Sequence, residues 1–595
     1  MPDPQPPTRE TSPGPEPSPN HDDENIPYTQ FACIGSGFSA IGLGATLQRW
    51  YGISSIRFFE RAPDLGGTWT VNQYPGAACD VPSALYSFSF ATNPSWTRIL
   101  PPGGELRAYL RRVAGEYGLV EKMVFGAEVE RCEWIEETGR WRLSVRDVLT
   151  GEVRLHECQF LFAGTGQFSK PREWDVPGGV GRFKGVVMHS ARWRGDVDLE
   201  GKRVVVIGNG CTATQIVPAI AGRTKHLTQI VRGRHWIVPP TDKVVPAGVR
   251  RVLQWTPGML ALQRFIVFVI AEVDFAAFST PNRWFRARRQ AVAEAYMRKT
   301  APEKYHGLLI PEWEYGCKRR IFDSGYLQAL HAPNITLTDE PVVEVVEDGV
   351  RLRDGTLVEA DVIVLANGFQ MNDILDGVPV VGRGGKTLKE HWQEFGGVEA
   401  YNLTSLNGFP NFFFPLGHTS TVMTIENAIN YALRIIKPLL EGKASIAEVK
   451  REAEEVYVKE IHAKLDKMVW ATGGCNSWYK MESGVNGNKK GWNGMTYPWW
   501  SGHYWYRCLF PVWKDWEYSG KPSKSTIIKK TRYGLWLTTS LVVVLGGVLM
   551  SRWIKVHGSS SVATLVAAVA QQAQVLQRKI GLPGLLNSLR VVTRA

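Results

Sequence analysis

Two glycine-rich turns constrain this chain more than any other feature. The first follows the apolar run Phe31-Ala-Cys-Ile34 and reads Gly35-Ser-Gly37-Phe-Ser-Ala40, before a helical pattern that lasts to about Tyr51. The second follows the apolar run Arg203-Val-Val-Val-Ile207, reads Gly208-Asn-Gly210-Cys-Thr212-Ala213-Thr214, and enters a helical pattern that lasts to about Ala221. Strand, G-x-G-x-x-A and helix together open a nucleotide-binding βαβ unit. The first glycine allows the tight turn. The second lets a pyrophosphate approach the backbone at the helix N-terminus. Two such units in 595 residues predict an α/β protein with two Rossmann-like dinucleotide-binding domains. The length itself exceeds one ordinary core.

The strand after each turn separates the two ligands. Ile56-Arg-Phe-Phe59 ends at Glu60, where a carboxylate would grip ribose hydroxyls. Leu227-Thr-Gln-Ile-Val231 ends at Arg232 instead, and an arginine suits a ribose 2′-phosphate. Arg234 and His235 add to the basic character there. The first site therefore reads as FAD and the second as NADPH. The candidate NADPH contacts are Gly208, Gly210, Thr212, Ala213, Thr214, Val231 and Arg232.

Two further stretches carry candidates. Gly66-Gly-Thr68-Trp69-Thr-Val-Asn72-Gln-Tyr74-Pro75-Gly76-Ala-Ala78-Cys79-Asp80, followed by Tyr86, reads as an ordered loop packed on a flat ligand. With Gly35, Gly37 and Glu60, the residues Thr68, Trp69, Asn72, Ala78, Cys79, Asp80 and Tyr86 are candidate FAD contacts. Val129, from the antiparallel strands at about 124–148, joins them. Asp80 reads equally as a helix N-cap before Pro82. Phe183-Lys-Gly185-Val-Val-Met-His189-Ser-Ala-Arg-Trp193 lies between the two turns and reads F-x-G-x-x-x-H-x-x-x-W. A segment so placed can carry information from one bound nucleotide to the other.

The remaining chain divides by composition. Residues 1–26 are rich in Pro, Ser, Asp and Glu and predict a disordered N-terminus. Residues 27–165 and 373–516 form the two parts of the FAD domain. Residues 166–240 and 313–372 form the linker and the two parts of the NADP domain. Between these last lies a helical insert, 241–312, with the expectation of a buried face; a membrane-surface helix is the alternative. Residues 475–479 and 497–516 would cap the active site. A C-terminal extension, 517–595, carries an uncharged stretch at 533–551, flanked by basic residues and by Trp536 and Trp553. At about 1.5 Å per residue it nearly crosses a roughly 30 Å hydrocarbon core. It predicts a single-pass helix holding a cytosol-facing catalytic domain at a membrane; a helix buried on the enzyme surface is the alternative. Val562, Leu565, Val566, Val569, Ala573 and Leu576 then recur at helical spacing.

The net charge of +12 admits nucleic acid, an anionic membrane surface or anionic cofactors. No zinc-finger or RNA-recognition signature supports a nucleic-acid partner. The 8 cysteines show no C-x-x-C and no clustering, so the expectation is reduced thiols, with no metal site and no disulfide framework.

Over about 28–516 the chain resembles the class B flavoprotein monooxygenases, specifically the type I Baeyer–Villiger enzymes. The resemblance rests on both glycine signatures, on the 66–80 loop, on F-x-G-x-x-x-H-x-x-x-W and on Cys317-Lys318-Arg319. It departs at Arg194, where the family has Pro or Asp, and at Asn367, where Thr is common. The C-terminal extension lies outside the shared core and looks like those of fungal secondary-metabolism members. The resemblance implies that NADPH reduces FAD, that reduced flavin activates O2, and that one oxygen atom enters a ketone to give an ester or lactone. Arg319 would hold the reactive oxygen species as an anion and stabilise the oxyanion adduct, with Asp80 tuning it. Lys318 would face the NADP phosphate. His189 and Trp193 would couple nucleotide binding to closure. The substrate would be a small organic molecule, most simply a bulky apolar ketone. The competing enzyme reading is a sibling that oxygenates nitrogen or sulfur; from another class, a membrane-tethered flavoprotein scaffold without turnover.

Overall fold

The computed structural model describes residues 26–528 apart from 178, 371–374, 376, 415–421, 481–490 and 523. The apolar stretch 533–551, the helical spacing at 562–576 and residues 1–25 lie outside the described residues. Among those described, no helix is long and apolar enough to cross a membrane.

The first glycine turn joins strands Tyr28–Ile34 and Ile56–Glu60, which pair in parallel through Ile34 and Phe59. On the other side of Tyr28–Ile34 runs Val153–Ala163, also parallel, with Ile34 opposite Ala163. Residues such as Phe31, Ala32, Phe160 and Leu161 are fully buried. Strands covered on both faces read as continuous apolar runs, and that is the sequence pattern here. Antiparallel strands Ala127–Ile135 and Arg140–Asp147 widen this sheet, and Val380–Val381 and Phe412–Phe413 join it from late in the chain.

The second turn lies in a five-stranded, wholly parallel sheet. Its order is Ile335–Thr338, His226–Ile230, Arg203–Ile207, Val362–Leu365, Val186–His189. The F-x-G-x-x-x-H-x-x-x-W stretch is thus the edge strand of this sheet rather than a free linker. Gly185 is required there, because a Cβ at that position would lie 2.3 Å from the Asp361 carbonyl oxygen and 2.6 Å from the Phe183 ring.

The buried face of the insert lies on its helix Arg283–Thr300, where Ala293 and Met297 join the core of the second sheet. Helices Ala247–Trp255 and Met259–Phe275 contain no fully buried residue. The charged side chains of Met259–Phe275 make specific inward contacts, and Phe275 at its end packs against Trp470 of the first core. Periodicity shows where apolar residues recur, but not which side a neighbouring element covers.

Candidate active site

Both glycine turns are tight against a neighbouring strand end. Gly35 has φ +99°, and an added Cβ would lie 2.7 Å from the Gly164 carbonyl oxygen; Gly208 has φ +114° and the same clash, 2.5 Å from Ala366 oxygen. Gly37 and Gly210 are the N-caps of helices Phe38–Tyr51 and Cys211–Ile220, and no side chain caps either. Their first N–H groups point to where a pyrophosphate would sit.

Around the first turn is a cavity of about 220 Å³. Gly35, Gly37, Glu60, Thr68, Trp69, Tyr86 and Val129 line it, as do Thr165, Gln167 and Phe168, which sequence reasoning did not single out. Glu60 Oε2 accepts hydrogen bonds from Ser36 N at 2.9 Å and Ser36 Oγ at 2.8 Å, which fixes the carboxylate at the turn. Thr165 Oγ1 and Gln167 Nε2 are buried without a hydrogen-bond partner. Buried polar atoms are nearly always paired, so two orphans facing one cavity fit a polar ligand such as a dinucleotide.

A second cavity, about 600 Å³, adjoins it; Trp69 lines both, and Asn72, Ala78, Cys79 and Asp80 line the second. Asp80 is not a helix cap. Arg319 Nε donates to its Oδ2 and Arg319 Nη2 to its Oδ1, each at 2.8 Å. Burial pushes the Asp80 carboxyl up, but the Arg319 guanidinium outweighs it and leaves the group below the usual carboxylate range. Asp80 in turn holds Arg319 charged against burial. Arg320, the next residue, pairs at 2.5 Å with Asp274 of the insert.

Cys317, two residues before Arg319, forms a disulfide with Cys475. This corrects the expectation of reduced thiols throughout; Cys33, Cys79, Cys132, Cys158, Cys211 and Cys508 are free. The partners are 158 positions apart, and pairing at that range cannot be read from spacing. The segment beginning at Cys475 brings Tyr479 beside Arg319, close enough for its charge to act on the phenol.

In the second site, Thr212, Ala213 and Thr214 lie in the first turn of helix Cys211–Ile220, and Val231 and Arg232 follow strand His226–Ile230. Lys318 comes close to this turn: a Cβ on Gly233 would lie 3.2 Å from its Nζ. Burial, then the Arg232 charge, lowers the Lys318 pKa. No carboxylate pairs with Arg232 or Lys318 among the described residues. Two cations facing each other without a counter-ion fit a phosphate. Arg234 and His235 contribute less than their sequence suggests. Arg234 pairs with Glu312 at 2.8 Å, and His235 is held neutral, its pKa lowered to about 4 by burial and then by Lys318.

His189 and Trp193 do not touch the Asp80–Arg319 pair. His189 Nδ1 accepts from Ala191 N at 3.0 Å, which leaves the proton on Nε2, 3.1 Å from Gly368 oxygen. The same carbonyl accepts from Arg172 N at 2.9 Å. Gly368 and Arg172 lie on the two chain segments that pass between the sheets, so His189 pins their crossing. Asn367 Nδ2 binds the same crossing, donating to Arg172 oxygen at 3.1 Å. Trp193 packs on the core of the second sheet. From His189 a run of ring contacts continues through Phe369, Phe168 and Trp478 to Tyr479, with centroids 4.3 to 6.3 Å apart. Only their shared aromatic character marked these residues in the sequence.

The family model for flavin-binding monooxygenase-like proteins matches residues 30–374. A Baeyer–Villiger monooxygenase of Streptomyces coelicolor is 36% identical over 468 residues, 77% of this chain and 88% of that protein. One of Pseudomonas aeruginosa is 35% identical, over 76% and 85%. The structure of an oxidised steroid monooxygenase bound to NADP superposes with a TM-score of 0.69 at 25% identity, covering 83% of this chain and all of the other. The chain belongs to the flavin-binding monooxygenase-like family and is a class B flavoprotein monooxygenase of the Baeyer–Villiger type, with FAD and NADPH as its cofactors.

Proposed function

We propose that the enzyme inserts one atom of O2 between the carbonyl carbon and a neighbouring carbon of a bulky apolar ketone, in secondary metabolism. The product is an ester or lactone, the second oxygen atom leaves as water, and one NADPH is oxidised. The observation that carries this reading is the Asp80–Arg319 pair, with Asp80 in the wall of a cavity that shares Trp69 with the flavin cradle.

FAD, bound at the first turn, supplies the redox chemistry with NADPH and O2. The residues supply the rest. Arg232 and Lys318 hold the nucleotide's 2′-phosphate. Arg319 is a fixed cation for the oxyanion that develops on the substrate carbonyl. Asp80 accepts from Nε and Nη2 on one side of the Arg319 guanidinium, which orients the fork before substrate arrives. His189, neutral, secures the crossing between the two sheets, and Trp193 ties that crossing to the nucleotide domain. The second cavity has the volume of a typical small-molecule site, which supports a bulky substrate.

The test is the mass of candidate ketones after incubation with enzyme, NADPH and O2. Gain of one oxygen with lactone or ester fragmentation supports the reading. Oxygen gain only on amines or sulfides assigns the sibling chemistry. The sequence of residues 533–551 adds the proposal that the catalytic part faces the cytosol on a membrane. Release of the full-length protein by carbonate wash would contradict a span.

A further inference from the structure

Helix Met259–Phe275 turns its charged residues inward and leaves an apolar stripe outside. All but four of its 17 residues are apolar, yet none is fully buried. Its three charged residues all turn inward. Arg264 donates to the carbonyl oxygens of Ala84 and Ser87 at 2.8 and 2.7 Å and lies 3.4 Å from Glu426. Glu272 accepts from Ser501 N at 2.9 Å. Asp274 pairs with Arg289 at 3.2 Å and with Arg320 at 2.5 Å. Left outside are Leu262, Ile266 and Ile270, one stripe at four-residue spacing, 50%, 39% and 44% exposed. Ordinary surface helices show the reverse arrangement.

The surroundings say what would cover this stripe. Trp255, just before the helix, is 75% exposed, and Trp284, just after it, is 64% exposed. Arg251, Arg283 and Arg288 are exposed beside them. Between Lys243 and Ala293 the only acidic residues are Glu272 and Asp274, both directed inward. The outer face of the insert is therefore apolar and cationic, with tryptophans at its margins. Tryptophan and arginine at the edge of an apolar helix face suit the boundary between acyl chains and anionic headgroups. An exposed apolar stripe without that cationic rim would have matched a second protein surface as well.

We infer that the outer face of this insert docks on an anionic phospholipid surface, with Leu262, Ile266 and Ile270 entering the acyl boundary. The inference stands apart from residues 533–551, because it concerns where the folded domain touches the bilayer. It would hold Asp274, and through it Arg320 beside Arg319, at the membrane surface, so that an apolar substrate could arrive from the lipid.

The experiment is hydroxyl-radical footprinting of the full-length, FAD-loaded protein. It is done alone, with phosphatidylcholine vesicles, and with vesicles that also contain phosphatidylserine. The anionic vesicles should protect Trp255, Leu262, Ile266 and Ile270, and neutral ones should protect them less. Arg251→Gln and Arg283→Gln should each weaken protection about fivefold. Ile266→Glu combined with Ile270→Glu should abolish it while flavin content and NADPH oxidation stay unchanged. The inference is overturned if no vesicle protects these side chains. It is also overturned if they are already protected without vesicles, which would place residues 529–595 or a second copy on the face.

Discussion

Asp80 and Arg319 meet across 239 positions of sequence through two parallel hydrogen bonds of 2.8 Å each. Lys318 and Arg320 flank this arginine, but one faces Arg232 and the other Asp274. Charge therefore does not distinguish the three; partners do. Removing a fixed cation from a developing oxyanion commonly costs about 100- to 1,000-fold in rate. Arg319→Ala should lose ester formation by that factor, yet still be bleached by NADPH and release hydrogen peroxide. Arg319→Lys should fall short too, because lysine cannot present a planar fork to Asp80. Stopped-flow absorbance beside product assay reads both halves; near wild-type lactone formation by Arg319→Ala would remove this residue from the mechanism.

Arg232 and Lys318 form a cation pair without a carboxylate partner among the described residues. Charge-assisted contacts of this kind contribute about 1.5–3 kcal/mol each, roughly 10- to 100-fold. Arg232→Ala and Lys318→Ala should each reduce the NADPH over NADH preference by that factor, mainly in KM for NADPH. The double variant should show little preference. Selectivity unchanged in both single variants would mean the 2′-phosphate is read elsewhere.

Much of this arrangement was legible because it is local. The strand–turn–helix signatures concern backbone geometry within about ten residues, and Gly35 and Gly208 sit in the tight turns that pattern requires. The acid at Glu60 and the base at Arg232 are likewise properties of a single strand end. The Asp80–Arg319 pair spans the fold and became visible only through likeness to a family. Nothing local links Cys317 to Cys475, or His189 to Gly368, since each pair is made by the way two sheets are joined. The inward charges of Met259–Phe275 were not legible from its apolar pattern, because Arg264 and Glu272 find their partners in elements distant in sequence, as does Asp274 in Arg320.

His189 gives a pH signature. Burial lowers its pKa, and its Nδ1 already accepts from Ala191 N, so a second proton there would set donor against donor. The folded protein then binds fewer protons than the unfolded chain. Stability from this residue is complete above about pH 6.5 and declines as pH falls toward the folded pKa. His189→Gln should flatten the acid-side fall of the unfolding free energy by at most about 1.4 kcal/mol per pH unit. Buried His156 and half-buried His462 shift in the same direction, so the comparison must be the difference between variant and parent. Identical slopes between pH 7.5 and 5.5 would show that His189 is protonated without cost.

The Cys317–Cys475 disulfide closes a loop of 158 residues and lies at the base of both walls around Arg319. One wall is Cys317-Lys318-Arg319 itself. The other is the segment from Cys475 to Tyr479, whose last residue lies within reach of the Arg319 charge. A cross-link over so long a loop stabilises chiefly by restricting the unfolded chain, typically by about 2–4 kcal/mol. Cys475→Ser should therefore lower Tm by several degrees. Its placement predicts a second effect that a purely structural bridge would not have. Without it, Tyr479 and Arg319 are no longer tied to one point, and water gains access where the reactive oxygen must be shielded. The ratio of hydrogen peroxide released to NADPH consumed should rise, while KM for NADPH, which we propose is set at Arg232 and Lys318, stays constant. Dithiothreitol treatment of the parent protein should reproduce the change, and reoxidation should reverse it. If the variant loses stability but keeps the parent's coupling ratio, the bridge supports the fold and leaves the chemistry untouched.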